Sequence, residues 1–141
     1  MTTTPTPMQV TLPGHLFGQL PFYDVVDTDD TVVLDLHNRP DLVNIRGALQ
    51  GGLVATLIDI AGGRLAVKYA PGGASTADMS IHFLAPILEG PARATATLVR
   101  AGRRLIVVAV DVVDVARDRL AARATLTFAV LEPRDQPTTA P

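Results

Sequence analysis

The sequence predicts an α+β domain in which an antiparallel sheet wraps a single central helix. Three observations lead there. Two short β-rich runs come first, in "PFYDVVDTDDTVVLDLHN" (21–38), around a turn near Thr28 to Asp30. One long apolar segment follows, the only convincing long helix in the chain, over roughly Leu49 to Tyr69. Four further β-rich runs close the sequence, so the helix is available to cover one face of the sheet they make.

Each element has its own justification. At 100° per residue, Leu53, Leu57, Ile60 and Ala61 form one broad helical face, widened by Val54, Ile58 and Leu65. After the helix, "GGASTADMSIHFLAP" alternates at Ala77, Met79, Ile81 and Phe83 and stops at Pro86. The runs "PARATATLVRAG", "RRLIVVAVDVVDV" and "RLAARATLTFAVL" are separated by Ala101-Gly102 and by Ala116 to Asp118, short enough for hairpins. Val107 to Val113 is almost continuously apolar, which predicts a strand covered on both faces. The ends, rich in Thr and Pro, are expected as flexible tails at 1–10 and 132–141 around one domain at 11–131.

Composition narrows the function classes. With no cysteine, disulfides, thiolate nucleophiles and cysteine metal sites are excluded. The three histidines, His15, His37 and His82, lack the spacing of a zinc helix, so no metal is expected. A net charge of −2 argues against nucleic acid as the main partner. The N-terminus lacks the basic and apolar regions of a secretory signal and no apolar run is long enough to span a membrane; a cytoplasmic location is expected.

Within the helix, Asp59 is a lone carboxylate in an apolar run. Its neighbours at helical spacing are Gly52, Ala55, Thr56, Gly62, Gly63 and Ala66, all small. Glycine inside a helix costs about 1 kcal/mol relative to alanine, so this face asks for a compensating close approach. Either Asp59 faces solvent from a small-residue surface, or that surface is a contact that holds the carboxylate in a partly dry cleft.

The spacing of Asn44, Gly47, Gln50, Gly51, Gly52, Leu57 and Asp59, together with "STADMSIHFLAP" and "VRAGRRLIVVAVDVVD", resembles the PaaI-type acyl-CoA thioesterases of the hotdog fold, over roughly Phe22 to Leu131. The resemblance implies hydrolysis of an acyl-CoA by a homodimer paired through its sheets, with dimers of dimers as a further step. Such hydrolysis calls for no other cofactor. It implies a site between protomers: the Gly51 amide as oxyanion donor, Gly52 beside it, and Asp59 of the other protomer as nucleophile or general base. Helical geometry agrees, since Gly51 and Asp59 lie about 12 Å apart along one helix. By analogy, Asn44 and Thr76 help position the nucleophile or water, while Arg103 and Arg104 at a hairpin meet the CoA phosphates. Asn44 as a loop cap, Thr76 as an ordinary strand residue and the two arginines as solvated hairpin residues remain open alternatives.

Where such enzymes usually carry histidine before Gly-Gly, this chain has Gln50, which can donate a hydrogen bond but cannot titrate near neutral pH. A non-catalytic binder of acyl-CoA or aromatic ligands is therefore the second reading. A hotdog hydratase or dehydratase is a third, weakened because no histidine lies near Asp59 in sequence.

Overall fold

The computed structural model describes residues 4–133. The strands are β1 (Thr6–Pro7), β2 (Phe22–Asp27), β3 (Thr31–Leu36), β4 (Ala74–Phe83), β5 (Ala92–Ala101), β6 (Leu105–Asp114) and β7 (Arg119–Val130). They form one antiparallel sheet in the order β1-β2-β3-β5-β6-β7-β4. The helix α1 (Gly51–Ala66) packs across β3, β5 and β6, and a 3-10 turn at Val67–Tyr69 extends it. This is the sheet-wrapped helix of the hotdog fold.

The helix lies close to the sheet because of what faces it. Ala92, Ala94 and Ala96 of the central β5 are fully buried and offer a shallow floor. Larger side chains grip the sides: Val32, Leu34 and Leu36 from β3, and Ile106, Val108, Val110 and Val112 from β6. From the helix come Leu57, Ile58, Ala61 and Leu65, each at 0% exposure. Burying one such aliphatic side chain contributes about 1.5–3 kcal/mol. The far end of the helix is tied to the β2–β3 hairpin. Arg64 pairs with Asp24, Lys68 with Asp27, and the Tyr69 hydroxyl donates to the Asp29 carbonyl at 2.6 Å.

Three sequence expectations change in detail. Residues 6 and 7, expected in a flexible tail, pair with Tyr23 and Asp24, and Met8 packs against the core. The other tail falls outside the described residues from 134 onward. Val107, Ala109 and Val113 are only half-buried, because the helix covers one face of β6 and nothing among the described residues covers the other. And Ala77 does not share a face with Met79, Ile81 and Phe83. A bulge at Ala77 shifts the phase, and Thr76 joins their helix-facing row, opposite Phe128, Leu126, Ala124 and Ala122 of β7. No helix among the described residues is long and apolar enough to cross a membrane.

The two glycines in the second half of the helix, Gly62 and Gly63, predict opposite substitution effects. A Cβ on Gly62 would stand 3.2 Å from Leu126 and 3.3 Å from Phe128, whereas one on Gly63 meets Phe128 at an ordinary 3.6 Å. Gly63→Ala is expected to raise stability by up to about 1 kcal/mol through helix propensity. Gly62→Val overpacks the seam and is expected to cost about 1–3 kcal/mol. Chemical denaturation of both variants checks the contrast.

Candidate active site

Local geometry at the start of α1 leaves polar groups unengaged. The loop before it turns at Gly47, whose φ of +79° favours glycine. Asn44 organises that loop: its Oδ1 accepts from the N–H of Arg46 at 2.9 Å and of Ala48 at 3.2 Å. The loop-capping role is therefore real, and it occupies the oxygen of the amide but not its nitrogen. Gln50 is the N-cap in an extended conformation, and its side chain reaches back to the Val43 carbonyl at 3.4 Å. The first backbone bonds into the helix run from Leu53 and Val54 onto the Gln50 carbonyl. The N–H groups of Gly51 and Gly52 thus have no backbone partner among the described residues, and they sit at the positive end of the helix dipole.

Beside Gly51 lies a cleft of about 350 Å³, floored by Leu49, Val54 and Ala121 and walled by the 83–87 segment. The wall is fixed in two places. The N–H of Leu84 and of Ala85 both donate to the Ala121 carbonyl, and the Leu49 N–H donates to the Ile87 carbonyl at 2.9 Å. The fully buried carboxylate of Asp114 then accepts from the N–H of Leu88, Glu89 and Gly90 and pins the turn that follows. Neither Phe83 nor Asp114 was singled out from sequence. A bulky aromatic at the last alternating position before Pro86 was the signal for the first, and an acid ending the apolar run of β6 for the second.

Asp59 is two turns further along the helix. It is half-buried, and Thr76 donates its hydroxyl to Oδ1 at 2.7 Å. The bulge at Ala77 makes that bond possible: with regular alternation from Met79, Thr76 would face away from the helix. The structure thus brings together Asp59 with Thr76, and separately Asn44 with Gly51, and keeps the two groups apart. Of the small residues expected around Asp59, Gly62 serves the chain's own packing against Leu126 and Phe128, while Gly52 opens on empty space.

A second cleft of about 420 Å³ is lined by Arg100, Gly102, Arg103, Arg104, Leu105 and Val107 at the β5–β6 hairpin. Leu105 pairs with Ala129, and Ala129 with Ser75, so this arginine cluster sits at the Thr76 end of β4. Arg93 belongs elsewhere: it forms a two-pronged pair with the buried Asp35 at 2.8 Å, which raises the guanidinium pKa further. On the outer sheet face the Arg123 guanidinium holds Asp111 below the usual carboxylate range. The histidines stand apart. His15 caps a short 3-10 turn through the Phe17 N–H, His37 stacks edgewise on Tyr23, and His82 lies exposed on β4. None of residues 13–22 lines the Gly51 cleft. No cluster able to hold a metal ion occurs among the described residues.

Residues 46–121, spanning the helix, the Thr76 strand and the arginine hairpin, match the family model of the thioesterase superfamily. The chain belongs to the thioesterase superfamily. Its similarity to individual relatives is partial. A Saccharolobus solfataricus protein named as a candidate esterase is 36% identical over 92 residues, which are 63% of this chain and 59% of that protein. A thioesterase of Haemophilus influenzae superposes with a TM-score of 0.77 at 18% identity, covering 89% of this chain and 88% of that one. The Escherichia coli PaaI protein of the phenylacetic acid degradation operon gives 0.75 at 18% identity, covering 82% and 83%. At those identities the two structures establish the shared hotdog fold.

The buried carboxylate that pins the cleft wall gives a direct test. Asp114→Ala leaves three N–H groups of a partly buried turn without their acceptor and is expected to cost about 2 kcal/mol. Urea unfolding measures it; a loss below about 0.5 kcal/mol would contradict the role.

Proposed function

We propose that this thioesterase-superfamily protein hydrolyses an acyl-CoA thioester at a site built from two protomers. The observation that carries the reading is the placement of complementary groups on one helix. Free N–H groups lie beside an apolar cleft, and the one helical carboxylate lies about 12 Å away. A nucleophile and an oxyanion donor must meet on the same carbonyl, within about 3 Å of its atoms, so a single chain cannot supply both.

The edge of β4 supports a remedy. Its one partner in the sheet is β7, its ten residues carry neither Lys nor Pro, and Met79 and Phe83 remain exposed on the helix-facing row. Two copies pairing antiparallel about a two-fold near Met79 place the Thr76 end of one β4 beside the Phe83 end of the other. Asp59 of the partner subunit then faces Gly51. The arginine hairpin, at the Thr76 end, arrives from that same subunit.

Hydrolysis follows from these groups. The thioester oxygen accepts the Gly51 N–H, at a residue without a side chain to obstruct it, and the donor strengthens as negative charge develops there. Gln50 can release Val43 and donate to the same oxygen. Asp59 of the partner subunit, oriented by its Thr76, either deprotonates a water that attacks the carbonyl or attacks it directly to give a mixed anhydride that water then hydrolyses; in both routes the C–S bond breaks and CoA leaves as thiolate. Arg100, Arg103 and Arg104 offer their guanidinium groups to the nucleotide phosphates. The step needs water and no cofactor or metal. Gln50 in place of a titratable residue is the one observation favouring a non-catalytic binder, which would hold acyl-CoA without releasing thiol.

Thiol release from a panel of short, aromatic and long acyl-CoAs tests the reading. Wild-type protein is expected to turn over at least one, and Asp59→Asn to lower kcat roughly 10²- to 10⁴-fold. Gly51→Pro deletes the N–H and adds a ring beside Phe83, in a backbone conformation that proline suits at the first helical position, so Gly51→Ala is the control for added bulk. It is expected to cost roughly 10²- to 10³-fold, against a small effect of Gly51→Ala. Equal rates in wild type and Asp59→Asn would remove the mechanism; binding without turnover would establish the binder.

A further inference from the structure

We infer that Phe83 is the residue that selects the acyl group, admitting uncharged apolar chains that are unbranched next to the carbonyl. The inference rests on the thioesterase reading and adds the substrate class. The ring of Phe83 stands against the bare backbone of Gly51: a Cβ built there would lie 3.7 Å from Cε1 and 3.9 Å from Cζ. An acyl group whose carbonyl oxygen meets the Gly51 N–H extends into the cleft that Gly51 and Phe83 line together.

The mounting is rigid where it needs to be. Phe83 pairs with Ala122 as the last residue of β4, and Leu84 and Ala85 are anchored to the Ala121 carbonyl immediately after it. The backbone is thus fixed and only the ring can turn. Yet Phe83 is 57% exposed and Leu84 54%, although the core lies directly beneath them. Two large apolar side chains at the lip of an apolar cleft fit a seam that the partner strand and an acyl chain cover together. Beyond the ring the walls are Leu49, Val54, Pro86 and Ile87, and no charged side chain lines the cleft. A terminal carboxylate on the acyl chain would be desolvated there without a cationic partner among the lining residues. A straight chain passes the ring edge and fills the cleft; a branch at the carbon after the carbonyl meets the ring.

The experiment compares butyryl-CoA with isobutyryl-CoA, and hexanoyl-CoA with adipoyl-CoA, on wild type, Phe83→Ala and Phe83→Leu. Solution mass is measured for each, because Phe83 also lies near the proposed seam. One methylene in an apolar pocket discriminates roughly 10- to 200-fold, so Phe83→Ala is expected to raise the isobutyryl-to-butyryl ratio of kcat/KM at least tenfold. Phe83→Leu, which keeps an apolar side chain, should fall between the two. The preference for hexanoyl over adipoyl should persist in all three. If both variants keep the wild-type mass and change every substrate by the same factor, Phe83 does not select and the inference fails. A protein that turns over no acyl-CoA removes the parent reading instead. In that case the thermal stabilisation given by the same four compounds reads selection by itself: a Phe83-dependent order supports it, and identical orders overturn it.

Discussion

In the proposed mechanism one helix of 16 residues carries both halves of the chemistry, and its rigidity keeps them apart. A rise of about 1.5 Å per residue separates Gly51 from Asp59 by about 12 Å, and no side-chain rotation closes that gap. The sheet repeats the separation. Thr76, bonded to Asp59, and Phe83, packed on Gly51, are seven residues apart on β4, roughly 20 Å of strand. Strand and helix therefore agree on two half-sites at opposite ends of one exposed edge. A two-fold axis across that edge is the simplest operation that unites them, and it generates two equivalent sites at once.

The positions of both halves depend on devices that are individually modest. The alanine floor of β5 lets the helix settle close to the sheet, and the Arg64, Lys68 and Tyr69 contacts hold its far end. Asp114 fixes the turn after the cleft wall, and the Leu49–Ile87 bond ties that wall to the segment entering the helix. The bulge at Ala77 turns Thr76 toward Asp59. Each device converts an element of ordinary stability into a positioned group. The arginine pairings divide the basic residues in the same way: Arg93 is held by Asp35, while Arg100, Arg103 and Arg104 line an open cleft.

The fold was largely legible in the sequence because its signals are periodic. The helix, the hairpins and the succession of two strands, one helix and four strands along the chain follow from spacing that depends only on local geometry, whereas the order of strands within the sheet does not. Asp59 stood out because a carboxylate in an apolar helix has few inexpensive explanations. What escaped notice depends on phase and on long-range contact. Alternation from Ala77 gave the wrong face for Thr76, since one inserted residue is invisible to a period of two. Phe83 looked like any alternating strand residue until the fold set it against Gly51. Asp114 reads as the end of a strand, and only tertiary structure shows three N–H groups converging on it. Gly62 and Gly63 asked for a close approach without saying by what; for Gly62 it is the chain's own Leu126 and Phe128.

The central claim is that each site draws on two chains, and mixed protomers test it most directly. Asp59→Ala and Gly51→Pro disable different halves. Co-expressed with separable tags, they form some dimers in which one site carries both defects and the other neither. Thiol release from the co-expressed mixture is predicted to recover to about a quarter of wild type, as random pairing with one intact site per mixed dimer requires, while each variant alone stays inactive. Mixed dimers as inactive as their parents would place the site within one chain and contradict the account.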